Sequence, residues 1–272
     1  MKVAVKFGYV GQNYYGYQRQ PDRSTVEGCV IRALKDCGLI LDPRKSEFAS
    51  AGRTDRGVSA LGQVVAFRPM DPAKAIVKRL NSKLPRDIFA WAWADVPDSF
   101  SPRTHATSKT YLYLFHNPHV DVSALESACR IFLGEHDFAQ FSRPSQRATV
   151  REIEEIHVER TNPPRLYFRA KGFLWAQVRK IVSAIELVAT NRLEESRVRD
   201  ALAGRTHLAL KPAPPENLIL WEIEYPHVRF RVEGDSLLRA KEFLDASGRG
   251  LELALALRKT LLDGIARCAP VA

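Results

Sequence analysis

The amino-acid sequence predicts a mixed α/β fold, in which helices pack on β-sheets. Residues 2–96 alternate between strand-like and helix-like patterns, and a second strand-led section begins near residue 105. The chain has 272 residues, of which 45% are hydrophobic, so it can bury the core of one large domain or two modest ones. No segment approaches the ~18 uninterrupted apolar residues that a membrane-spanning helix needs.

In the N-terminal half, residues 2–9 alternate apolar residues with Lys2 and Lys6, which predicts a strand with one buried and one charged face. A capping Ser or Thr at 24–25, ahead of apolar residues at helical spacing, predicts a helix that ends at Gly38. The remaining elements of this half are predicted as a strand at 62–69, a helix at 71–84 and a strand at 87–96.

The C-terminal half continues the alternation after a polar connection at 98–110. The predicted elements are a strand at 110–117, a helix at 121–134, strands at 147–162 and 165–173, a helix at 174–190, a strand at 227–234 and helix-prone sequence to about residue 268. The sequence therefore predicts an N-terminal α/β subdomain at 1–104 and a C-terminal one at 105–272, with an extension from about residue 226. No long linker separates the halves, so we expect them to share an interface.

The charge balance indicates a polyanionic partner. Lys and Arg number 41 against 31 Asp and Glu, which leaves a formal net charge of +10. Such a surplus is typical of nucleic-acid binding, and the alternative is a basic protein that is merely soluble. The four cysteines are far apart without C-x-x-C spacing, and the first residues do not resemble a signal peptide. We therefore expect a cytoplasmic protein with free thiols.

Common motifs for cofactors, metals and serine nucleophiles are missing from the sequence. The early glycines do not fit G-x-G-x-x-G, no Walker lysine follows a glycine loop, the seven histidines are dispersed, and no serine lies in G-x-S-x-G. We therefore expect neither a cofactor nor a metal.

The stretch "AGRTDRGVSALGQVVAF" (51–67) places Asp55 between Arg53 and Arg56 on a loop bounded by Gly52 and Gly57. Glycines permit positive φ and close approach of another chain, and neighbouring cations favour the charged form of a carboxylate. Such an aspartate can serve as a nucleophile or a base. The plainer interpretation is an Asx-turn with solvent-facing arginines.

Two further stretches place chemistry-bearing residues in apolar surroundings. Tyr111 and Tyr113 share one strand face with Lys109 ahead of them, which suits either core packing or a stacking platform for an unpaired base. Arg179 lies within the apolar stripe of the predicted 174–190 helix. A partly buried cation needs an anion, and Asp55 is a candidate, although an arginine at a helix edge can also reach solvent.

Together these segments resemble the tRNA pseudouridine synthases of the TruA type. The stretches that carry the resemblance are "AGRTDRGVSALGQVVAF", "SPRTHATSKTYLYLF", "DFAQFS", "FLWAQVRKIV", "YVGQNYYGYQRQ", "LNSKLPRDI" and "APPENL". They span roughly residues 3–225 in order, which is far more specific than a single motif. The last 45 or so residues fall outside the resemblance.

The resemblance implies roles for five residues. Asp55 corresponds to the catalytic aspartate, Tyr111 to the tyrosine that stacks on the target uracil, and Arg179 to the basic residue that pairs with the aspartate. Arg53 is similar to the arginine that holds the target base out of the RNA stack, and Lys109 joins the substrate-binding set. Val10, Arg56 and Ser59 depart from the family pattern, where aspartate, alanine and histidine are common.

The resemblance also implies a fold, a substrate and an oligomeric state. The fold is the pseudouridine synthase fold, with two sheet-bearing subdomains flanked by helices and a central RNA-binding cleft. The substrate is the anticodon stem-loop of tRNA, at positions 38, 39 or 40, and the assembly is a homodimer. One alternative is a catalytically silent RNA-binding or RNA-folding protein on the same scaffold. Another, a sugar hydrolase, would need two carboxylates where this loop supplies one.

Overall fold

A nine-stranded β-sheet runs through the chain in the computed structural model, which describes residues 2–71, 76–117, 120–144, 148–248 and 251. The strands are β1 (Lys2–Tyr9), β2 (Ala49–Ser50), β3 (Ser59–Phe67), β4 (Ile88–Val96), β5 (Ser108–Leu114), β6 (Gly134–Asp137), β7 (Val150–Ile153), β8 (Glu155–Glu159), β9 (Arg165–Ala170), β10 (Leu218–Glu224) and β11 (Arg231–Val232). The helices are α1 (Val26–Asp36), α2 (Ile76–Asn81), α3 (Val122–Cys129), α4 (Gln177–Ala189) and α5 (Glu195–Leu202), and residues 234–248 are also helical. The predicted mixed α/β fold is confirmed.

The order of strands shows how the two halves of the chain are joined. The sheet runs β11-β4-β1-β3-β10-β5-β9-β8, with β2 also paired to β3, while β6 and β7 form a separate two-stranded sheet. β10 lies between β3 and β5, parallel to the first and antiparallel to the second. A strand from late in the chain therefore bridges the N-terminal and C-terminal strands.

Two hydrophobic clusters form the core. The first contains β1, β3 and β4 with α1 and α2, and the second contains β5 and β9 with α3, α4 and α5. β10 contributes Leu220 and Ile223 to the first cluster and Leu218 to the second. The sheet is continuous through both, so the division at residues 104 and 105 stays a prediction.

Several local predictions agree with the structure and others need correction. Thr25 caps α1, since its hydroxyl oxygen accepts a hydrogen bond from the amide of Gly28 at 3.3 Å. The single strand predicted at 147–162 is wrong, because the chain bends at Glu154 and places β7 and β8 in different sheets. The tail strand predicted at 227–234 is reduced to β11. The first turn of the helix predicted at 71–84 and the tail beyond residue 251 lie outside the described residues.

β1 is buried along its whole length, so the face predicted to be charged, which carries Lys2 and Lys6, is buried as well. The ammonium of Lys6 pairs with the carboxylate of Glu222 on β10 and lies over the rings of Trp91 and Phe230, 5.3 and 5.1 Å from their centroids. These partners compensate the cost of removing an ammonium from water. Alternation along β1 indicates two different faces, but it does not reveal that later segments of the chain cover the second one.

Candidate active site

The Asp55 loop, residues 51–58, connects β2 to β3. Its turn is closed by a hydrogen bond from the amide of Val58 to the carbonyl of Asp55, at 3.2 Å. Gly57 has φ of +87°, a left-handed conformation of the kind that glycine permits. A side chain there would also lie 3.1 Å from Pro215, in the segment that leads into β10. A backbone hydrogen bond and the close approach of Pro215 to Gly57 therefore shape this turn.

The N-terminal loop, residues 10–25, packs directly on the backbone of the Asp55 loop. The amide of Tyr17 donates to the carbonyl of Thr54 at 3.1 Å, and the hydroxyl groups of Thr54 and Tyr9 are 2.8 Å apart. A Cβ atom at Gly11 would lie 2.1 Å from the carbonyl oxygen of Val58. Only glycine allows so close an approach. Contacts with the N-terminal loop therefore fix the backbone on both sides of Asp55, at Thr54 and at Val58.

The Asp55 carboxylate is bonded at both oxygens by residues from the second half of the chain. Arg179 donates from Nη1 to Oδ2 at 2.8 Å, and Trp175 donates from Nε1 to Oδ1 at 2.9 Å. The ion pair is partly buried, with side-chain exposures of 15% for Arg179 and 25% for Asp55. The predicted contact between Asp55 and Arg179 is therefore present. The carboxylate points to distant donors instead of folding back as an Asx-turn.

Helix α4 fixes the position of Arg179. Its apolar face buries Ile181, Val182 and Ile185 in the second cluster, and each such side chain stabilises the fold by about 1.5–3 kcal/mol. The guanidinium also donates from Nε to the carbonyl of Ala213 at 2.7 Å. Because the guanidinium is held from two directions, it reaches Asp55 in a defined geometry.

Trp175 is a site residue that sequence reasoning missed. Its side chain is 56% exposed, and the guanidinium of Arg143 lies 4.4 Å over its ring. The next residue, Ala176, has φ of +62°, a left-handed conformation that is uncommon for a residue with a side chain. Such backbone strain is often found at functional sites. Ala176 lies in the turn that directs Trp175 toward Asp55. In the sequence, the signal for Trp175 as a site residue is its position four residues before Arg179.

We expect Trp175→Phe to lower kcat about 10- to 100-fold, because a hydrogen bond to a charged acceptor contributes about 1.5–3 kcal/mol. Phenylalanine keeps a ring for Arg143 to contact but removes the indole N–H. Trp221→Phe is the matched control, since Trp221 is exposed on β10 and its ring contacts Tyr167. A Trp175→Phe enzyme with unchanged kcat would show that this bond does not serve the reaction.

Tyr111 on β5 lies in register with Ala60 at the start of β3, with Leu220 of β10 between them. It pairs with Leu220 on β10, which in turn pairs with Ala60, so the tyrosine is two strands away from the end of the Asp55 loop. Its ring is half-buried, packs against both clusters and meets Phe173 edge-on at 5.3 Å. Burial raises the pKa of its hydroxyl well above the ordinary range, and the nearby Tyr9 and Asp55 act in the same direction. The phenol is therefore neutral.

Lys109 reaches the Asp55 loop instead of extending away from it. Its ammonium donates to the carbonyl of Ala51 at 2.7 Å. Burial lowers its pKa to about 8, and the charge of Arg103 contributes to this shift. Lys109 thus ties β5 to the start of the loop, and its role toward substrate stays a prediction.

The low pKa of Lys109 predicts a pH dependence of stability. The group titrates near 8 in the folded chain and at 10.5 when unfolded, so the unfolded chain binds more protons between these values. The free energy of unfolding of the parent chain, relative to Lys109→Met, should therefore rise from pH 8 to pH 10.5. Chemical denaturation across this range measures it. A difference that does not change with pH would mean that Lys109 titrates normally.

Arg53 is exposed on the Asp55 loop. Among the described residues no hydrogen bond or ion pair of its side chain is found, which leaves the guanidinium open to solvent. Within the same part of the chain, no group of three or more His, Cys, Asp or Glu side chains is arranged to hold a metal ion. No helix there has the length and apolar character needed to cross a bilayer.

Comparison with known proteins identifies relatives along nearly the whole chain. Residues 128–226 match the family model described as tRNA pseudouridine synthase. The tRNA pseudouridine synthase A of Thermococcus sibiricus is 40% identical over 97% of this chain and 100% of its own length. That of Pyrococcus furiosus is 40% identical over 87% of this chain and 88% of its own. The chain belongs to the tRNA pseudouridine synthase A family. A structure titled "Crystal structure of pseudouridylate synthase" aligns with 87% of this chain and 73% of its own, at 13% identity and a TM-score of 0.36, too low to support an argument.

Of the three residues that the resemblance marks as departures, Ser59 and Arg56 lie where the N-terminal loop meets the Asp55 loop and the start of β3. The hydroxyl of Ser59 accepts a hydrogen bond from the amide of Gly11 at 3.0 Å. The guanidinium of Arg56 lies 4.3 Å over the ring of Tyr15, and Val10 is bonded through its backbone to Asp87. Ser59 and Arg56 therefore join the N-terminal loop to the Asp55 loop and to the start of β3.

Proposed function

We propose that this chain converts uridine to pseudouridine in the anticodon stem-loop of tRNA, at positions 38, 39 or 40. The observation that carries the proposal is the Asp55 carboxylate, whose two oxygens are bonded by Arg179 and Trp175 while a quarter of the side chain stays open. The family of the relatives and the basic net charge support a tRNA substrate.

The reaction breaks the bond between N1 of uracil and C1′ of ribose, turns the base, and forms a bond between C5 and C1′. C5 loses a proton and N1 gains one, so atoms and electrons balance without a redox partner. Asp55 supplies the negative charge, as a nucleophile toward ribose or base, or as the base for a sugar proton. Arg179 orients this carboxylate through its hydrogen bond to Oδ2.

The target nucleotide must leave the RNA stack before Asp55 can reach it, which costs a few kcal/mol. We propose that two groups, Tyr111 and Arg53, offset this cost of removing the nucleotide from the stack. Tyr111 offers a neutral ring beside the site for stacking on the uracil, and stacking of this kind contributes about 1–3 kcal/mol per base. Arg53, exposed on the Asp55 loop, fills the place of the extruded base.

The test is incubation of the full chain with unmodified tRNA transcripts, followed by mapping of pseudouridine through chemical labelling and by tritium release from C5-labelled uridine. We expect pseudouridine on the 3′ side of the anticodon stem. Binding of tRNA without tritium release would favour the alternative, a catalytically silent RNA-binding protein. A product outside the anticodon arm would contradict the substrate assignment.

We also propose a homodimer that acts in the cytoplasm. The resemblance to enzymes that hold one tRNA with two subunits supports the dimer. The three cysteines in the described part of the chain (Cys29, Cys37 and Cys129) are free, as is common in a reducing compartment. Light scattering after size exclusion should give twice the mass of the chain, and a monomer at micromolar concentration would contradict the dimer.

A further inference from the structure

We propose that Arg23, Tyr15 and Arg56 form a binding site for phosphate groups of the RNA strand beside the Asp55 loop. The guanidinium carbon of Arg23 lies 4.5 Å from the centroid of the Tyr15 ring, and that of Arg56 lies 4.3 Å from it. One aromatic ring therefore gathers two positive charges next to Asp55. The proposal rests on the proposed function only in taking RNA as the ligand.

The backbone of the N-terminal loop brings this cluster together. The amide of Tyr15 donates to the carbonyl of Ser24 at 2.9 Å, and the side chain of Gln20 donates to the carbonyl of Tyr15 at 2.9 Å. These bonds close the segment 15–24 and place Arg23 beside the ring. Arg56 arrives from the Asp55 loop, so the cluster spans the contact between the two loops.

The arrangement leaves the guanidinium groups suited to phosphate. Among the described residues, neither guanidinium donates a hydrogen bond to another side chain or carbonyl, so the N–H groups of both are available to a ligand. Guanidinium N–H groups form paired hydrogen bonds with phosphate oxygens. The two guanidinium carbons are no farther apart than the sum of their distances to the ring, so they can hold neighbouring phosphates of one strand.

No acidic partner neutralises the pair within the part of the chain that the structure describes. Neither Arg23 nor Arg56 lies within 4.0 Å of a carboxylate there, whereas nearby Arg19 pairs with Glu27 at 3.5 Å. Two like charges held together without an anion repel each other, and the π face of Tyr15 offsets only part of this repulsion. A polyanion would satisfy both groups.

In the part of the chain that the structure describes, the Asp55 oxygens are bonded by Trp175 and Arg179, and the Arg23 and Arg56 guanidinium groups lie over Tyr15. We therefore assign the cluster to binding of RNA phosphates outside the target uridine. Asp55 keeps its proposed role in the chemistry.

The salt dependence of tRNA binding tests the site. Each phosphate contact contributes roughly 0.7–0.9 to the slope of log K against log salt concentration. We expect Arg23→Gln and Arg56→Gln each to lower the slope by about this amount, to raise KM and to leave kcat within about 2-fold. Arg56→Lys should restore most of the slope, because it keeps the charge. Arg197→Gln is the matched control on α5, where the arginine is exposed, and should keep the parent slope.

The outcomes separate this proposal from the proposed function. Unchanged slopes for Arg23→Gln and Arg56→Gln in an active enzyme would overturn the phosphate site alone. A fall in kcat with an unchanged salt slope would also overturn the phosphate site. The cluster would then serve only to hold the N-terminal loop against the Asp55 loop. If the parent chain binds tRNA and the slopes fall but no pseudouridine forms, the site stands and the enzymatic function fails.

Discussion

Asp55→Asn should abolish pseudouridine formation, with a loss of at least about 1,000-fold in kcat, while tRNA still binds. Asparagine has nearly the same shape, and its side-chain oxygen can still accept a hydrogen bond from Trp175 or Arg179. It lacks the negative charge that serves as nucleophile or base. Single-turnover tritium release with a saturating concentration of enzyme measures the chemical step directly.

Asp42→Asn is the matched control for this experiment. Asp42 is partly exposed, and its Oδ1 accepts hydrogen bonds from the amides of Arg44 and Lys45. It therefore caps a turn and has no part in the Asp55 loop. We expect Asp42→Asn to keep the parent rate. Turnover by Asp55→Asn near the parent level would remove Asp55 from the chemistry and with it the proposed mechanism.

Arg179→Met should lower kcat about 100-fold or more, because loss of a positioned charge at a reacting group costs about 3–4 kcal/mol. It leaves Asp55 with one donor, Trp175, and leaves the carbonyl of Ala213 without the guanidinium. Arg179→Lys should recover only part of the rate, since a single ammonium cannot bond Asp55 and Ala213 in the same planar geometry. Rates with saturating tRNA separate this effect from binding.

Arg192→Met provides the control for loss of a charge near the same helix, since Arg192 is exposed just after α4. Thermal melts of all three variants show whether folding is affected. We expect Arg179→Met to lower the free energy of unfolding by about 1 kcal/mol, because the hydrogen bond to the carbonyl of Ala213 is lost. If its activity falls only in proportion to the folded fraction, Arg179 is structural and not part of the site.

The central pair of the site could be predicted from the sequence. A lone arginine within the apolar stripe of a helix needs an anion, and a carboxylate between glycines is free to approach one. The structure joins these residues at 2.8 Å although 124 positions separate them. The alternation of strands and helices likewise predicted the fold class, because periodicity is a local property.

The remaining parts of the site depend on tertiary contacts that periodicity does not contain. Trp175 reaches Asp55 through a turn with Ala176 in a left-handed conformation, which no residue preference at that position indicates. Lys109 lies on the same strand as Tyr111, but the carbonyl that its ammonium contacts belongs to Ala51, at the start of the Asp55 loop. The covering of Lys6 depends on β10 and on the segment after it.

The place of β10 in the sheet has a consequence for synthesis of the protein in the cell. Asp55 leaves the ribosome early, but the strand that joins β3 to β5 is among the last described segments to be translated. Pairings between such distant segments form slowly and late in folding. A nascent chain should therefore lack the assembled site until β10 has been translated and has paired with β3 and β5.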